Sequence, residues 1–325
     1  MSLIAFNVYK TNELSAAQLD SFVKNFNTVF EKDTTVSDFT KQYVNNEKGY
    51  SYHSLMETDG EVIGYISAIP FPYSYFKEEK TFCYMGSLFI LPQYRKDPLA
   101  MFKLYRSIKQ MLKEEGISLL LSVPNKNSHP YFIHALKWKQ VVTLPYYALP
   151  IKYGTISGRN KGLNVLSYGF TQTQLFFSSF FTIFLNSKEK DSDIFLIPKE
   201  PLAEQQRYNE AHVKIKTKKF NAFYRVEKEE GIKTAYLIDF YNNDHVRDSR
   251  SLTEAVRYIV RNANPDLVLF IGELKMTQSV FFRIPKSKEP RPLNFCLEIL
   301  DEKNIDKKAY VASSWNFGLY NFDVR

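Results

Sequence analysis

Metal-ligating residue patterns are scarce in this chain. Its 325 residues include two cysteines, Cys83 and Cys296, and each lies in an apolar run typical of a strand. No Cys-x-x-Cys pair or mixed Cys/His spacing occurs, so the sequence predicts no zinc site. We expect both thiols to be small residues of a hydrophobic core.

The sequence also lacks a basic leader followed by a long apolar run. A signal peptide is therefore not predicted, and the cytoplasm is the expected location. The most apolar segment, residues 163–185, is rich in phenylalanine but too polar at its start to span a bilayer. We interpret it as a helix packed between domains, with an interfacial helix touching a membrane surface as the alternative.

Dense basic segments are absent, although 43 Lys and Arg against 35 Asp and Glu give a formal net charge of +8. The positive residues are spread along the chain, with one cluster at residues 214–219 that is typical of a solvated strand or loop. The sequence therefore does not predict a nucleic-acid partner. A basic surface instead favours acidic or phosphorylated small partners.

The chain does contain enough apolar material for two cores. Hydrophobic residues make up 44% and aromatic residues 16%, and the length suggests two domains. Caps and helical periodicity predict helices over residues 16–30 and 36–44, one from Leu99 to Gly116, and one ending near Leu136. Alternation and apolar runs predict a hairpin over 51–69 and strands over 81–91, 117–123 and 141–151.

Residues 87–100 are the most informative segment of the sequence. They have the pattern of a buried strand, a short basic loop and the start of an amphipathic helix. Main-chain N–H groups at such a junction can bind phosphate, and Arg95 adds a forked positive donor. The pattern alone leaves two interpretations open: a phosphate-bearing cofactor, or a helix start with a solvated basic turn.

The second half of the chain repeats this order in weaker form. Strand patterns cover residues 234–241, 266–274, 281–284 and 294–299, and Ser251 is the expected cap of a helix between the first two. The loop at 243–250 has no glycine and places two aspartates beside its arginines, which disfavours phosphate binding there. We predict a duplicated α/β (α+β) fold in which each domain has a mixed central sheet flanked by helices. The expected divisions are a domain at 1–153, a linker and inter-domain helix at 154–186, and a degenerate domain at 187–325.

Residues 51–151 resemble the GNAT superfamily of acyl-CoA N-acyltransferases. The family's loop pattern, Arg/Gln-x-x-Gly-x-Gly/Ala, falls on residues 95–100, and its Asn loop, helix and closing Leu-Gly-aromatic fall on residues 125–128 and 136–138. The second half looks like the degenerate partner domain of tandem GNAT proteins. The resemblance implies a GNAT-like fold and acetyl-CoA or another acyl-CoA as cofactor. It also implies that a primary amine of the acceptor, a small molecule such as a sugar, attacks the acyl group directly.

The resemblance also implies where the cofactor binds. The pantetheine arm would lie along the strand edge and the pyrophosphate against the loop amides beside Arg95, with the Asn loop nearby. The implied cofactor residues are Leu88, Phe89, Ile90, Arg95, Lys96, Asp97, Leu99, Ala100, Asn125 and Ser128.

Two positions depart from the family pattern. Pro98 replaces the first loop glycine and removes one N–H donor, and Phe132 stands where the family often has a tyrosine acid. We expect Tyr131, His129 and His134 to be the candidate proton carriers, since histidine titrates near neutral pH. For each of these three, packing or surface exposure is the alternative role.

The leading hypothesis is therefore an acyl-CoA-dependent N-acetyltransferase that acts on a primary amine. One alternative is a non-catalytic binding protein that kept the fold, which Pro98 and Phe132 favour. Another is an aminoacyl-tRNA-dependent transferase, which the basic balance allows.

Overall fold

A computed structural model provides the structure of residues 3–97, 99–188, 192–197, 211–276 and 279–322. Pro98 lies outside the described residues, so its predicted effect on the loop stays a prediction. The described chain forms two compact units. The first takes residues from 1–143, 193–206 and 293–315, and the second from 144–192, 207–292 and 316–325. The units are interleaved along the sequence, whereas the predicted domains are contiguous.

The labels that follow run in chain order through both units. The first unit contains β1 (Ala5–Lys10), α1 (Ala16–Phe30), α2 (Val36–Val44), β2 (Tyr52–Thr58), β3 (Glu61–Tyr75), β4 (Glu78–Ile90), α3 (Ala100–Glu114), β5 (Leu119–Ser122) and β6 (Lys139–Thr143). The second unit contains β7 (Tyr146–Pro150), α4 (Tyr153–Ile156), α5 (Gly162–Phe184), β9 (His212–Lys216), β10 (Asn221–Glu229), β11 (Ile232–Tyr241), α6 (Ser249–Ala263), β12 (Leu267–Ile271) and β13 (Phe282–Arg283). Three further strands are β8 (Ile194–Leu196), β14 (Asn294–Ile299) and β15 (Trp315–Asn316).

The first sheet has the strand order β1-β2-β3-β4-β5-β14-β6, with β8 paired to β3 and β15 paired to β8. Along this order the neighbouring strands are antiparallel except β4 with β5, which are parallel and joined through α3. The second sheet has the order β13-β7-β12-β11-β10-β9. There too one parallel pair, β11 with β12, is joined through a helix, α6. This shared plan confirms the predicted mixed α/β class and is consistent with duplication.

Two strand predictions need correction. Residues 141–151 are not one strand, because Leu144 and Pro145 separate β6 in the first sheet from β7 in the second. Proline lacks the N–H that a central strand would need, which accounts for a break at this position. The strand at 294–299 is confirmed in its bounds, but β14 completes the first sheet between β5 and β6 rather than extending the second.

Helix α1 shows how local sequence sets the elements. The Ser15 hydroxyl accepts a hydrogen bond from the Gln18 main-chain N–H, and the Ser15 N–H donates to the Gln18 side-chain oxygen, which forms a capping box. The predicted cap of α6 is wrong by one turn, since Asp248 is the N-cap and Ser251 is its capping-box partner. Within the predicted linker and inter-domain helix at 154–186, the structure has the end of α4 and the whole of α5.

The helices of the first unit cover opposite faces of the sheet. Successive residues of a strand point to opposite sides, and on β3 Tyr65 stacks against Phe22 of α1, with ring centroids 4.2 Å apart. A Cβ built on the preceding residue, Gly64, would meet Leu104 of α3 at 3.3 Å. Helix α3 therefore approaches the sheet closely on the face away from α1.

Both cysteines are buried free thiols, as the sequence predicts. Within the described ranges no helix combines the length and hydropathy needed to cross a bilayer.

Candidate active site

The candidate site begins where β4 and β5 part. The two strands share only two register pairs, Cys83 with Leu120 and Tyr84 with Leu121. Just beyond them the Ser122 hydroxyl donates to the Met85 carbonyl at 3.0 Å. Strand β4 continues to Ile90 along β3, whereas β5 ends at Ser122. One edge of β4 is therefore left without a strand partner over its last residues.

A β-bulge marks the same place on β4. Ser67 pairs with Gly86 and Tyr65 pairs with Phe89, so two residues of β4, Ser87 and Leu88, oppose one residue of β3. Ser87 has φ of 52°, in the left-handed region. A bulge bends the strand and increases its twist, and this one lies just beyond the last pair of β4 with β5. The predicted cofactor strand, Leu88–Ile90, begins within the bulge, with Phe89 buried in the core between partly buried neighbours.

Arg95 stands in an exposed turn just beyond this strand. Its Nε donates to the Ile90 carbonyl at 2.7 Å, which ties the guanidinium to the open end of β4. Among the described residues no protein acceptor takes the N–H of Lys96 or of Asp97, and both residues are exposed. Arg95, Lys96 and the amides of residues 96–97 together form a basic, donor-rich loop end suited to an anion.

Asp97 already uses the other two predicted loop amides. The Leu99 N–H donates to its Oδ1 at 2.8 Å, and the Ala100 N–H donates to its carbonyl oxygen at 3.2 Å. The Leu99 hydrogen bond lowers the pKa of the Asp97 carboxyl, and Lys103 lies 3.3 Å from it. A carboxylate therefore sits at the start of α3, where the sequence predicts a phosphate. A ligand would have to displace this carboxylate to use the Leu99 amide, and the Asp97 main-chain carbonyl to use the Ala100 amide.

The predicted Asn loop forms a compact turn. The Asn125 side-chain oxygen accepts from the amides of Asn127 and Ser128, at 2.9 and 3.0 Å. The Ser128 hydroxyl also donates to it. This loop leads into a single π-helical turn, Tyr131–Ala135. Asn125 thus organises the backbone that follows β5, and its contact with a cofactor stays a prediction.

The three predicted proton carriers are not joined to one another by any hydrogen bond in the described chain. The Nε2 of His129 lies 2.9 Å from the Oε1 of Gln140, whereas His134 is exposed and Tyr131 is 56% exposed. Phe132 is buried and packs edge to face on Trp138, with centroids 4.8 Å apart. Phe132 therefore has a core role, and Tyr131 is the phenol of this turn that faces solvent.

A buried polar chain that the sequence did not predict reaches the bulge from the core. The Tyr43 hydroxyl donates to the Ser87 hydroxyl at 2.8 Å and lies 3.3 Å from that of Ser67. Deeper in, the Nδ1 of His53 lies 2.7 Å from the Tyr65 hydroxyl, and its Nε2 lies 2.8 Å from the Thr11 hydroxyl. Burial lowers the pKa of His53 to about 3 and raises that of Tyr65. Both groups are therefore neutral at physiological pH.

A second cluster unmarked in the sequence lies between α3 and β14. Glu298 accepts from the Tyr105 hydroxyl and from Lys109, and Trp138 donates to the same tyrosine oxygen at 2.9 Å. Burial raises the pKa of the Glu298 carboxyl to about 8. Since β14 is distant in sequence from α3, no local pattern could bring these residues together.

Comparison with known proteins identifies a family that part of this chain matches. Residues 13–135 match the acetyltransferase (GNAT) family. Comparison with curated protein sequences gave no match.

Three solved structures share the fold over most of the chain. One is a probable N-acyltransferase from Enterococcus faecalis (11% identity, 92% of this chain and 73% of that chain, TM-score 0.58). Another is a GCN5-related N-acetyltransferase from Anabaena variabilis (10% identity, 91% and 73%, TM-score 0.57). The third is the N-myristoyltransferase of Saccharomyces cerevisiae with bound myristoyl-CoA (11% identity, 91% and 79%, TM-score 0.51).

The family match and the shared fold confirm the predicted resemblance and the acyltransferase class. The match begins before residue 51, so α1 and α2 belong to the matched domain as well.

Proposed function

We propose that this chain, whose first unit carries the GNAT-type domain, transfers an acyl group from acyl-CoA to a primary amine. The observation that carries the proposal is the parting of β4 from β5 beyond Tyr84, next to the bulge at Ser87. A strand edge without a partner offers main-chain donors and acceptors to an extended ligand that carries amide groups. The pantetheine arm of coenzyme A is such a ligand. We propose acetyl-CoA as the donor.

The loop beyond the strand would hold the diphosphate. Arg95 and the exposed amides of Lys96 and Asp97 present donors on the same short turn. Charge-assisted hydrogen bonds to phosphate are about twice as strong as neutral ones. The Leu99 amide would join only where the phosphate displaces the Asp97 carboxylate, and the Ala100 amide only where it displaces the Asp97 main-chain carbonyl.

The chemistry needs no protein nucleophile. The neutral amine attacks the thioester carbonyl carbon, the new C–N bond forms, the C–S bond breaks, and the thiolate leaves with a proton. A main-chain N–H of the open β4 edge would polarise the carbonyl as an oxyanion contact. Holding amine and thioester together supplies much of the rate.

Proton transfer is assigned to side chains near the turn after β5. We propose His129, Tyr131 and His134 as the groups that take the amine proton or supply the thiolate proton. Tyr131 and His134 are exposed and His129 is half-buried, so the three can exchange protons with water during turnover.

For the acceptor, we propose an amine on a sugar or another small metabolite. The chain is basic overall, with a net charge of +8, and aromatic residues make up 16% of it. This composition suits an anionic or sugar-bearing molecule.

Donor binding and turnover test the proposal separately. Isothermal titration with acetyl-CoA and with myristoyl-CoA should show tighter binding of the acetyl donor, and thiol release should depend on an added primary amine. Binding of neither donor at millimolar concentration would remove the proposal. Tighter binding of myristoyl-CoA would keep the reaction and replace the proposed acyl group.

A second candidate, a binding protein that kept the fold without turnover, is favoured by one observation. The Asp97 carboxylate occupies the Leu99 amide, at 2.8 Å. Under this candidate acetyl-CoA binds without amine-dependent thiol release, or does not bind at all.

A further inference from the structure

Helix α5 of the second unit has its polarity reversed. Its side chains that point into the protein are mostly small or polar, and its phenylalanines point to solvent. The buried or half-buried positions include Asn164, Ser167, Thr171, Gln174, Ser178 and Thr182. A helix on a protein that meets only water has the opposite arrangement, with its apolar stripe facing the core.

The inward face is fixed by specific hydrogen bonds. Ser167 donates to the Ile151 carbonyl at 2.9 Å, and Thr171 donates to the Pro150 carbonyl at 3.2 Å. Farther along, the Gln174 amide donates to the Val280 carbonyl at 3.0 Å, and the hydroxyls of Ser178 and Thr253 lie 2.8 Å apart. Because these contacts join α5 to β7 and α6 along its length, the helix is held in one rotation and its other face stays outward.

The outward face is a long apolar surface. Phe176, Phe180 and Phe184 recur at a spacing of four residues, which keeps them on one side of a helix, and they are 62%, 51% and 70% exposed. The remaining large apolar side chains exposed on α5 and at its end are Val165, Leu166, Tyr168, Phe170, Phe177, Phe181, Ile183 and Leu185. A contiguous apolar face of this kind indicates an interaction site rather than ordinary surface.

The charged residues of the segment that carries this face are basic. Residues 151–188 contain Lys152, Arg159, Lys161 and Lys188 and no aspartate or glutamate, and the sequence continues with Glu189, Lys190 and Asp191. Arg159 and Lys161 are exposed just before α5, and Lys188 is exposed just after it. The nearest carboxylate that α5 contacts, Glu254, accepts from Ser179 on the side that faces α6. A face of phenylalanine bordered by cations complements an anionic lipid surface.

We propose that α5 lies on an anionic membrane surface, with its phenylalanine face in the acyl boundary and Arg159, Lys161 and Lys188 at the headgroups. The inward hydrogen bonds hold one face of the helix against its own unit, so only the opposite face can insert into the lipid. This tethers the chain to a bilayer through its second unit.

Vesicle flotation with the full chain tests the surface directly. Vesicles of phosphatidylcholine with phosphatidylglycerol at 3:1 should bind the protein at least ten times more tightly than phosphatidylcholine alone. The double variant Phe176→Gln/Phe180→Gln should lose at least tenfold of that binding. The variant Arg159→Gln/Lys161→Gln should lose about fivefold per charge on anionic vesicles and little on neutral ones.

Phe282→Ser, at an exposed phenylalanine of β13, is the matched control and should bind as the wild type does. Circular dichroism establishes that each variant is folded. Failure of the wild type to bind either vesicle would overturn the proposal, as would binding unchanged by Phe176→Gln/Phe180→Gln. A dimer in sedimentation velocity that this double variant converts to a monomer would assign the face to a second copy of the chain instead.

Discussion

The two units share a succession of strand, loop, helix and parallel strand, but they finish the parallel pair differently. In the first unit β4 and β5 keep two register pairs, whereas β11 and β12 of the second keep four. The loop arginine of the first unit, Arg95, is exposed, and that of the second, Arg247, is 7% exposed. One backbone plan therefore yields an open strand edge in one unit and a closed one in the other.

Main chain from the C-terminal segment closes the second unit. Gly318 forms a bridge with Gly272 at the end of β12, and the Glu273 amide donates to the Phe317 carbonyl at 3.0 Å. A Cβ on Gly272, whose φ is 137°, would lie 2.6 Å from the Gly318 Cα. Two glycines thus allow the close backbone approach by which the C-terminal segment pairs with the residues after β12.

Arg247 completes the closure. Its Nε and Nη2 both donate to Asp239 Oδ1, at 3.0 and 2.6 Å, and Nη1 donates to Asn316. The guanidinium also lies over the Tyr320 ring, 4.2 Å from its centroid. An arginine that follows the corresponding strand in each unit can therefore bind a ligand or stabilise the core, and its burial decides which.

The largest expected effect follows from removing the buried arginine. Arg247→Ala leaves the Asp239 carboxylate buried without its ion pair, which costs about 3–5 kcal/mol. Arg95→Ala removes an exposed side chain, and we expect its free energy of unfolding to stay within about 0.5 kcal/mol of the wild type. Urea unfolding followed by circular dichroism measures both. Equal losses in the two variants would contradict the division into a structural and a ligand-binding arginine.

Cofactor binding should depend on the exposed arginine of the first unit, Arg95. Arg95→Ala should weaken acetyl-CoA binding by about 1–3 kcal/mol, because a charge-assisted phosphate contact is lost. Arg250→Ala, at an exposed arginine in the first turn of α6, is the control and should leave the affinity unchanged. Calorimetry gives the dissociation constants. A loss in the control as large as in Arg95→Ala would mean that only total charge matters.

Acid should destabilise the first unit through His53. Its pKa falls from 6.5 when unfolded to about 3 when buried, and the other four histidines are at least partly exposed. Between these values the unfolded chain binds more protons, so stability is full above pH 6.5 and is lost as the pH falls. The contribution from His53 should drop by about 2 kcal/mol between pH 7.5 and 5.

Tryptophan fluorescence is the suitable probe, because both tryptophans, Trp138 and Trp315, are buried in the first unit. His53→Gln should be less stable than the wild type at pH 7.5 but should lack this part of the pH dependence. An identical slope in the two proteins would show that His53 protonates without unfolding.

Local patterns predict the elements of this chain better than their partners. The bounds of α1 and α2 follow from caps and periodicity, which depend on residues within one or two turns. The sheet in which β14 lies depends on β5 and β6, over 150 residues earlier in the chain. The break at Pro145 carried a signal, since a proline argues against a continuous central strand.

The same limit applies to the site. The basic loop and Arg95 are visible in sequence because they are contiguous, and so is Asp97, whose type favours the start of a helix. The chain of Tyr43, Ser87, His53 and Thr11 is assembled from two helical segments and two strands, so only the fold reveals it. Where a side chain points, rather than which residue it is, was the missing information.

The smallest expected effect is also the finest test of the open loop. Asp97→Asn keeps an oxygen that can accept from the Leu99 amide but removes the negative charge at the start of α3. A charge at a helix terminus is typically worth about 0.3–1 kcal/mol, so acetyl-CoA should bind roughly two to five times more tightly. In the second unit, Asp248→Asn should leave that affinity unchanged, since Asp248 is buried as the cap of α6. Calorimetry gives the acetyl-CoA dissociation constant of each variant. Weaker binding by Asp97→Asn would mean that the carboxylate shapes the loop for the cofactor rather than competing with it, and that the diphosphate lies away from the amides of residues 99–100.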